Sequence, residues 1–147
     1  MRNAIIIFSA LLTLTSAAQA AGLPGQASHN CNIPSSVDID AAREDSQSRY
    51  LGIFDGKWDG VLPVTLLIHE VSDGKAYGYY AWKDYGPWNV SAGCRQVLGR
   101  VVDGQLIFRG DDTMTFMASG SRLSGVYIYK PGTSEEFVET ATFSRRR

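Results

Sequence analysis

Tight turns constrain this chain more than any other feature. The segments "SDGK", "VDGQ", "RGDD" and "ASGS" each stand between two runs rich in Val, Ile, Tyr, Phe and Thr, and "KPGTSE" closes the last such pair. Asp-Gly and Ser-Gly pairs supply the positive-φ residues of a hairpin, and a connection that short joins antiparallel neighbours. Strands are therefore expected near 56–61, 64–72, 76–83, 94–102, 105–110, 113–119, 122–130 and 136–144. The implied fold class is all-β, an antiparallel up-and-down meander of about eight strands behind one short N-terminal helix. A flat sheet that wide leaves its edges exposed, so the meander is expected to close into a barrel or curl strongly. A two-sheet sandwich is the alternative.

The region ahead of the strands divides in three. Met1-Arg2-Asn3 gives a positive start, "AIIIFSALLTL" an apolar core and Ala18-Gln19-Ala20 a small-x-small cleavage site, the parts of an export signal over 1–20. The apolar core is shorter than the roughly 20 residues that cross a bilayer. Residues 21–36 carry Pro, Gly, Ser and Asn without periodicity and read as an extended arm. In "SSVDIDAAREDSQSRYLGIF", Ser36 or Asp38 can cap the short helix that opens the barrel domain, 37–147. The expected location is the periplasm or the cell exterior. There the two cysteines, Cys31 and Cys94, are expected to form a disulfide, worth about 4 kcal/mol by loop closure; two free thiols are the alternative. The formal net charge is −1, which argues against a nucleic-acid partner, and the terminal "RRR" reads as a solvated tail.

Strand parity assigns the inner face. In "AYGYYAWKD", Lys83 marks the outer register, leaving Gly78, Tyr80 and Trp82 inside. "RLSGVYIYK" puts Leu123, Gly125, Tyr127 and Tyr129 inside, and "EFVETATFSR" puts Phe137, Glu139, Ala141 and Phe143 there. Leu106, Phe108, Met114 and Phe116 complete the set. A barrel of this size either fills with its own side chains, leaving Glu139 at a wet rim, or holds a cavity; Gly78, Gly99 and Gly125 on inward registers leave room and keep the ligand reading open. The stretch "FDGKWDG" sets Trp58 between glycine corners just ahead of the apolar run "VLPVTLLIHEV". Arg145 continues the face of Phe143 and could return to stack on Trp58, closing the barrel floor with a cation–π contact of about 0.5 to 2 kcal/mol; an ordinary buried Trp58 with no Arg partner is the alternative.

"GKW" at the first strand, an all-β meander, a preceding helix and a terminal Arg resemble the lipocalin and fatty-acid-binding-protein (calycin) superfamily. "GKWDGVLPVTLLIHEV" with "AYGYYAW" is similar, more closely, to small exported bacterial calycin-like domains. The resemblance covers about residues 52 to 145 and implies a β-barrel that holds one small ligand.

Other constellations carry less. His69 and Glu70 are adjacent on a strand and point to opposite faces unless a bulge intervenes. Asp111-Asp112 reads as turn chemistry, since two carboxylates are too few for a calcium ion. No metal or cofactor site and no catalytic residue is assigned; Cys31, Cys94, His29 and His69 are too few and scattered for a metal. The connection from Asp84 to Gly93, with Tyr85, Pro87 and Trp88, is long and aromatic enough to form a lid. The expected function is non-catalytic binding of a small apolar or amphipathic molecule, lined by Tyr80, Trp82, Trp88, Tyr127, Tyr129 and Glu139. The alternative is an envelope protein-interaction module, an inhibitor or assembly factor, that uses the loop of Tyr85 and Trp88 on a protein partner.

Overall fold

The computed structural model describes residues 48–147. The export signal, the arm, Cys31 and most of the expected helix lie outside the described residues. Ser48–Tyr50 is one turn of 3-10 helix. It leads into β1 (Gly52–Trp58), β2 (Leu62–Ser72), β3 (Lys75–Trp82), β4 (Gly93–Val102), β5 (Gln105–Arg109), β6 (Thr113–Ser119), β7 (Arg122–Tyr129) and β8 (Phe137–Arg145). These eight strands pair antiparallel in sequence order and close into one barrel. No helix among the described residues is long and apolar enough to cross a membrane.

Hairpin chemistry places most of these elements. Asp73-Gly74 and Asp103-Gly104 have positive φ at both positions (51° and 71°, 50° and 75°), the geometry whose twist matches the flanking strands. The first strand departs from expectation. Asp55-Gly56 reads as a turn but lies within β1, because Phe54, Asp55 and Gly56 pair with β2 on one side and β8 on the other. The turn falls at the next Asp-Gly, where Asp59 and Gly60 have φ of 46° and 75°. Strand β1 therefore begins four residues earlier than the turn signals imply.

That shift moves the seam. Phe54 faces Arg145 and Gly56 faces Phe143, so Arg145 meets the ring of Phe54, 5.1 Å from its centre, and donates to the Arg49 carbonyl at 2.8 Å. The expected stack of Arg145 on Trp58 does not form. Trp58 lies four residues further along β1, about 13 Å away at the rise of a strand. Its neighbour on β8 is Phe143, in an edge-on contact at 5.4 Å. Outside the seam, Arg146 donates to both oxygens of Asp55 (2.8 and 2.7 Å), which also accepts from Thr65 (2.7 Å).

The two barrel ends differ. At one end, Tyr50 is fully buried, and its hydroxyl donates to the Gly104 carbonyl at 2.6 Å, with the Phe116 carbonyl at 3.2 Å. Tyr50→Phe leaves those carbonyls short of a donor and is expected to lower stability by about 1 to 2 kcal/mol in urea unfolding; an unchanged midpoint would show that the plug holds by packing alone. Above Tyr50 the inner face is packed with Leu66, Ile68, Leu106, Phe108, Met114, Phe116, Leu123 and Phe143. The inward glycines do not open space for a ligand as expected. A Cβ at Gly99 would lie 2.7 Å from the Phe108 ring, and one at Gly125 would lie 3.0 Å from Phe116, Phe143 and Trp58. At Gly78 the Leu67 carbonyl would be 1.9 Å away. These positions make room for core rings and for backbone beside the register shift between Ile68 and Glu70. That shift is a bulge, and it leaves both His69 and Glu70 exposed. His69 lies against Tyr79 (5.9 Å), and Glu70 accepts from Ser72 (2.9 Å).

Candidate functional site

The other end of the barrel is an open cup of about 830 Å³. Trp58 forms its floor. The indole is 1% exposed, packs on Tyr127 at 5.7 Å and Phe116 at 6.2 Å, and donates from Nε1 to the Tyr80 hydroxyl at 2.6 Å. Above this floor the interior is no longer a core of aliphatic and phenyl side chains, and phenols, indoles and ionisable groups line it. All six side chains expected to line a ligand, Tyr80, Trp82, Trp88, Tyr127, Tyr129 and Glu139, lie around this space.

Strand pairing explains why they converge. Tyr127 faces Glu139 and Tyr129 faces Phe137 across β7 and β8, so each pair shares a face. Tyr129 and Phe137 stack at 4.8 Å. Phe137 holds the inner parity expected of it but is 47% exposed, because β8 begins there and the ring stands at the mouth rather than in the core. On the facing wall, Tyr80 and Trp82 pack at 5.6 Å. Trp82 donates to the Ser91 carbonyl at 2.8 Å, which fastens the connection after β3. Its short helical turn, Gly86–Trp88, is held by the mutual bonds of Tyr85 and Val90 and by Asp84, which accepts from the Ala92 amide at 2.7 Å. Tyr85 meets Trp88 edge-on at 5.0 Å. The connection forms a lip with Trp88, 39% exposed, at the cup.

Polar groups at the cup are unevenly matched. The Tyr127 hydroxyl donates to Asp112 at 2.8 Å, and burial together with that bond pushes the phenol well above its ordinary range. Burial likewise raises Tyr80, so its hydroxyl keeps a proton. It accepts from Trp58, and its own proton has no acceptor among the described residues. Glu139 is 7% exposed and accepts no hydrogen bond among the described residues. Burial, with the Asp59 carboxylate nearby, pushes it up to about 7. Asp59 itself is anchored at the mouth, accepting from the Thr140 amide at 3.0 Å.

Three ionisable residues of the cup were not anticipated: Arg95, Asp112 and Asp59. Arg95 pairs with Tyr80 across β3 and β4 and lies 5.7 Å from the Tyr80 ring and 5.9 Å from that of Trp82. Its Nε is buried without a partner, and no carboxylate of the described residues forms an ion pair with it. The parity of Val97 and Gly99 on the same strand carried the signal, since Arg95 shares it. Turn chemistry accounts for only part of what Asp112 does, since it also receives the Tyr127 hydroxyl and the Lys130 amide (3.3 Å). Cys94 is buried on β4 on the parity opposite to Arg95, away from the cup. No protein-family model matches the chain, and the comparisons with curated proteins and with solved structures found no match.

Proposed function

We propose that this chain is a non-catalytic binding protein of calycin type, exported to the periplasm or the exterior, whose cup holds one small amphipathic molecule. The observation that carries this reading is the change of lining above Trp58: a core of aliphatic and phenyl side chains gives way to a cup of about 830 Å³ edged with phenols, indoles and charged groups, a size and shape typical of small-molecule sites. The rim supports it. Trp88, Phe137 and Val138 are 39%, 47% and 54% exposed, an apolar threshold that costs free energy in water and is relieved by an apolar guest. In this reading the Asp84–Gly93 lip turns toward the cup rather than toward a protein partner, because Tyr85 and Val90 pack on the barrel core. The proposed Cys31–Cys94 disulfide would tie the N-terminal arm to the outer wall of β4.

Native mass spectrometry of the purified protein and titration of tryptophan fluorescence with octanol test this together. Saturable binding is expected, weakened about tenfold or more by Trp82→Ala, which removes an aromatic wall and the tie to Ser91. Trp82→Phe keeps the wall and should lose less. Absence of both a carried molecule and a saturable signal would end the proposal.

A further inference from the structure

Charge at the cup is divided between opposite walls. Arg95 stands on β4 and Glu139 on β8, four places apart in a closed ring of eight strands. The two form no ion pair, and the charge that acts on Glu139 is that of Asp59 rather than Arg95. Neither has a counter-charge: Arg95 is half-buried with a buried, unpartnered Nε, and Glu139 is 7% exposed and pairs with no cation among the described residues. Unmatched groups of this kind are costly. An anionic guest would answer only Arg95, and a cationic one only Glu139.

The geometry points to a dipolar ligand, with an anionic group held by Arg95 and the Tyr80 hydroxyl and an ammonium held on the opposite wall at Glu139. This rests on the cup-binding reading above and narrows its ligand class. The surroundings of each charge fit. Beside Glu139 stand Tyr127, Tyr129 and Phe137, and Tyr129, stacked on Phe137, already draws the Lys130 ammonium to 5.2 Å from its ring centre, the kind of cation that such rings attract. Beside Arg95, the Tyr80 hydroxyl has an unused proton, and a guanidinium with a neighbouring O–H suits a carboxylate, sulfonate or phosphate oxygen. Asp112 and Asp59 are already occupied by Tyr127, Lys130 and Thr140, and Asp59 adds negative potential at Glu139.

Four probes sharing an octyl chain test this at low ionic strength and below their micellar concentrations: octyl sulfobetaine, octyltrimethylammonium, octanesulfonate and octanol. Tryptophan fluorescence should report the sulfobetaine binding about tenfold or more tightly than either singly charged probe. Arg95→Gln should drop it to the level of octyltrimethylammonium, with Arg95→Lys recovering part, because lysine keeps the charge but not the planar fork. Glu139→Gln should drop it to the level of octanesulfonate. The chainless trimethylammonio propanesulfonate separates two sources of the same dipole: full affinity identifies a free solute, and lost affinity an amphiphile such as a lipid head group with its chain. Octanol or octanesulfonate binding as tightly as the sulfobetaine would overturn the dipolar ligand and leave the cup-binding proposal standing. Saturable binding by none of the four would remove both.

Discussion

Trp58→Ala is expected to lower the unfolding free energy by about 3 to 5 kcal/mol, the range for deleting a buried large aromatic side chain. The indole is 1% exposed and touches three rings on three strands: Phe116 of β6, Tyr127 of β7 and Phe143 of β8. The barrel wall cannot collapse into the gap, because its strands are hydrogen-bonded all the way round. Gly125 compounds the loss, since that position of β7 carries no side chain where the indole packs. Removing Nε1 also deprives the Tyr80 hydroxyl of its donor. Trp58→Phe separates these contributions: most of the ring burial is kept and the bond is lost, for an expected cost of about 1 to 2 kcal/mol. Guanidinium unfolding at constant m-value measures both. A Trp58→Ala cost below about 1 kcal/mol would show that the floor of the cup is not load-sharing with the core.

Architecture was legible in the sequence where local chemistry decides it. Asp73-Gly74 and Asp103-Gly104 adopt the backbone that their residue types favour, and alternation then brings Tyr80, Tyr127 and Glu139 to one interior. Closure itself followed from the cost of open edges. What local chemistry does not encode is register across the seam. Two Asp-Gly pairs flank Trp58, and either can turn; β1 uses the second, because only then do Ile53 and Phe54 become buried. That choice carried Arg145 to Phe54 instead of Trp58. The inward glycines misled for a related reason. A missing side chain marks space, but whether a ligand or a neighbouring ring takes that space depends on partners distant in the chain, such as Phe108 at Gly99. Arg95 was hidden differently. A guanidinium on an inner face runs against the rule that charges face out, and that exception is what gives the cup its unmatched cation.

Glu139→Gln should stabilise the protein at pH 8 by about 2 to 3 kcal/mol and change it little at pH 4. Burial and the Asp59 carboxylate push Glu139 up to about 7 from the ordinary 4.5. The folded protein therefore binds this proton more tightly than the unfolded chain does. Between these two values the folded state holds more protons, so unfolding free energy falls as pH rises. The stabilisation is fully present below about pH 4.5 and lost as the pH passes about 7. A shift of this size corresponds to about 3 kcal/mol at most. Glutamine resembles the protonated acid and cannot ionise, so the variant keeps at pH 8 what the natural side chain loses. Asp55 acts in the opposite sense: burial works to raise its carboxyl, but the bonds from Arg146 and Thr65 prevail and hold it below its ordinary value. Its contribution is thus present above that ordinary value and fades as acid protonates it. Comparing wild type with Glu139→Gln at pH 4, 6 and 8 by urea unfolding cancels Asp55 and every other carboxylate common to both. The difference should grow steadily from pH 4 to 8; a difference independent of pH would mean that Glu139 meets a cation or solvent in the cup and titrates as an ordinary glutamate.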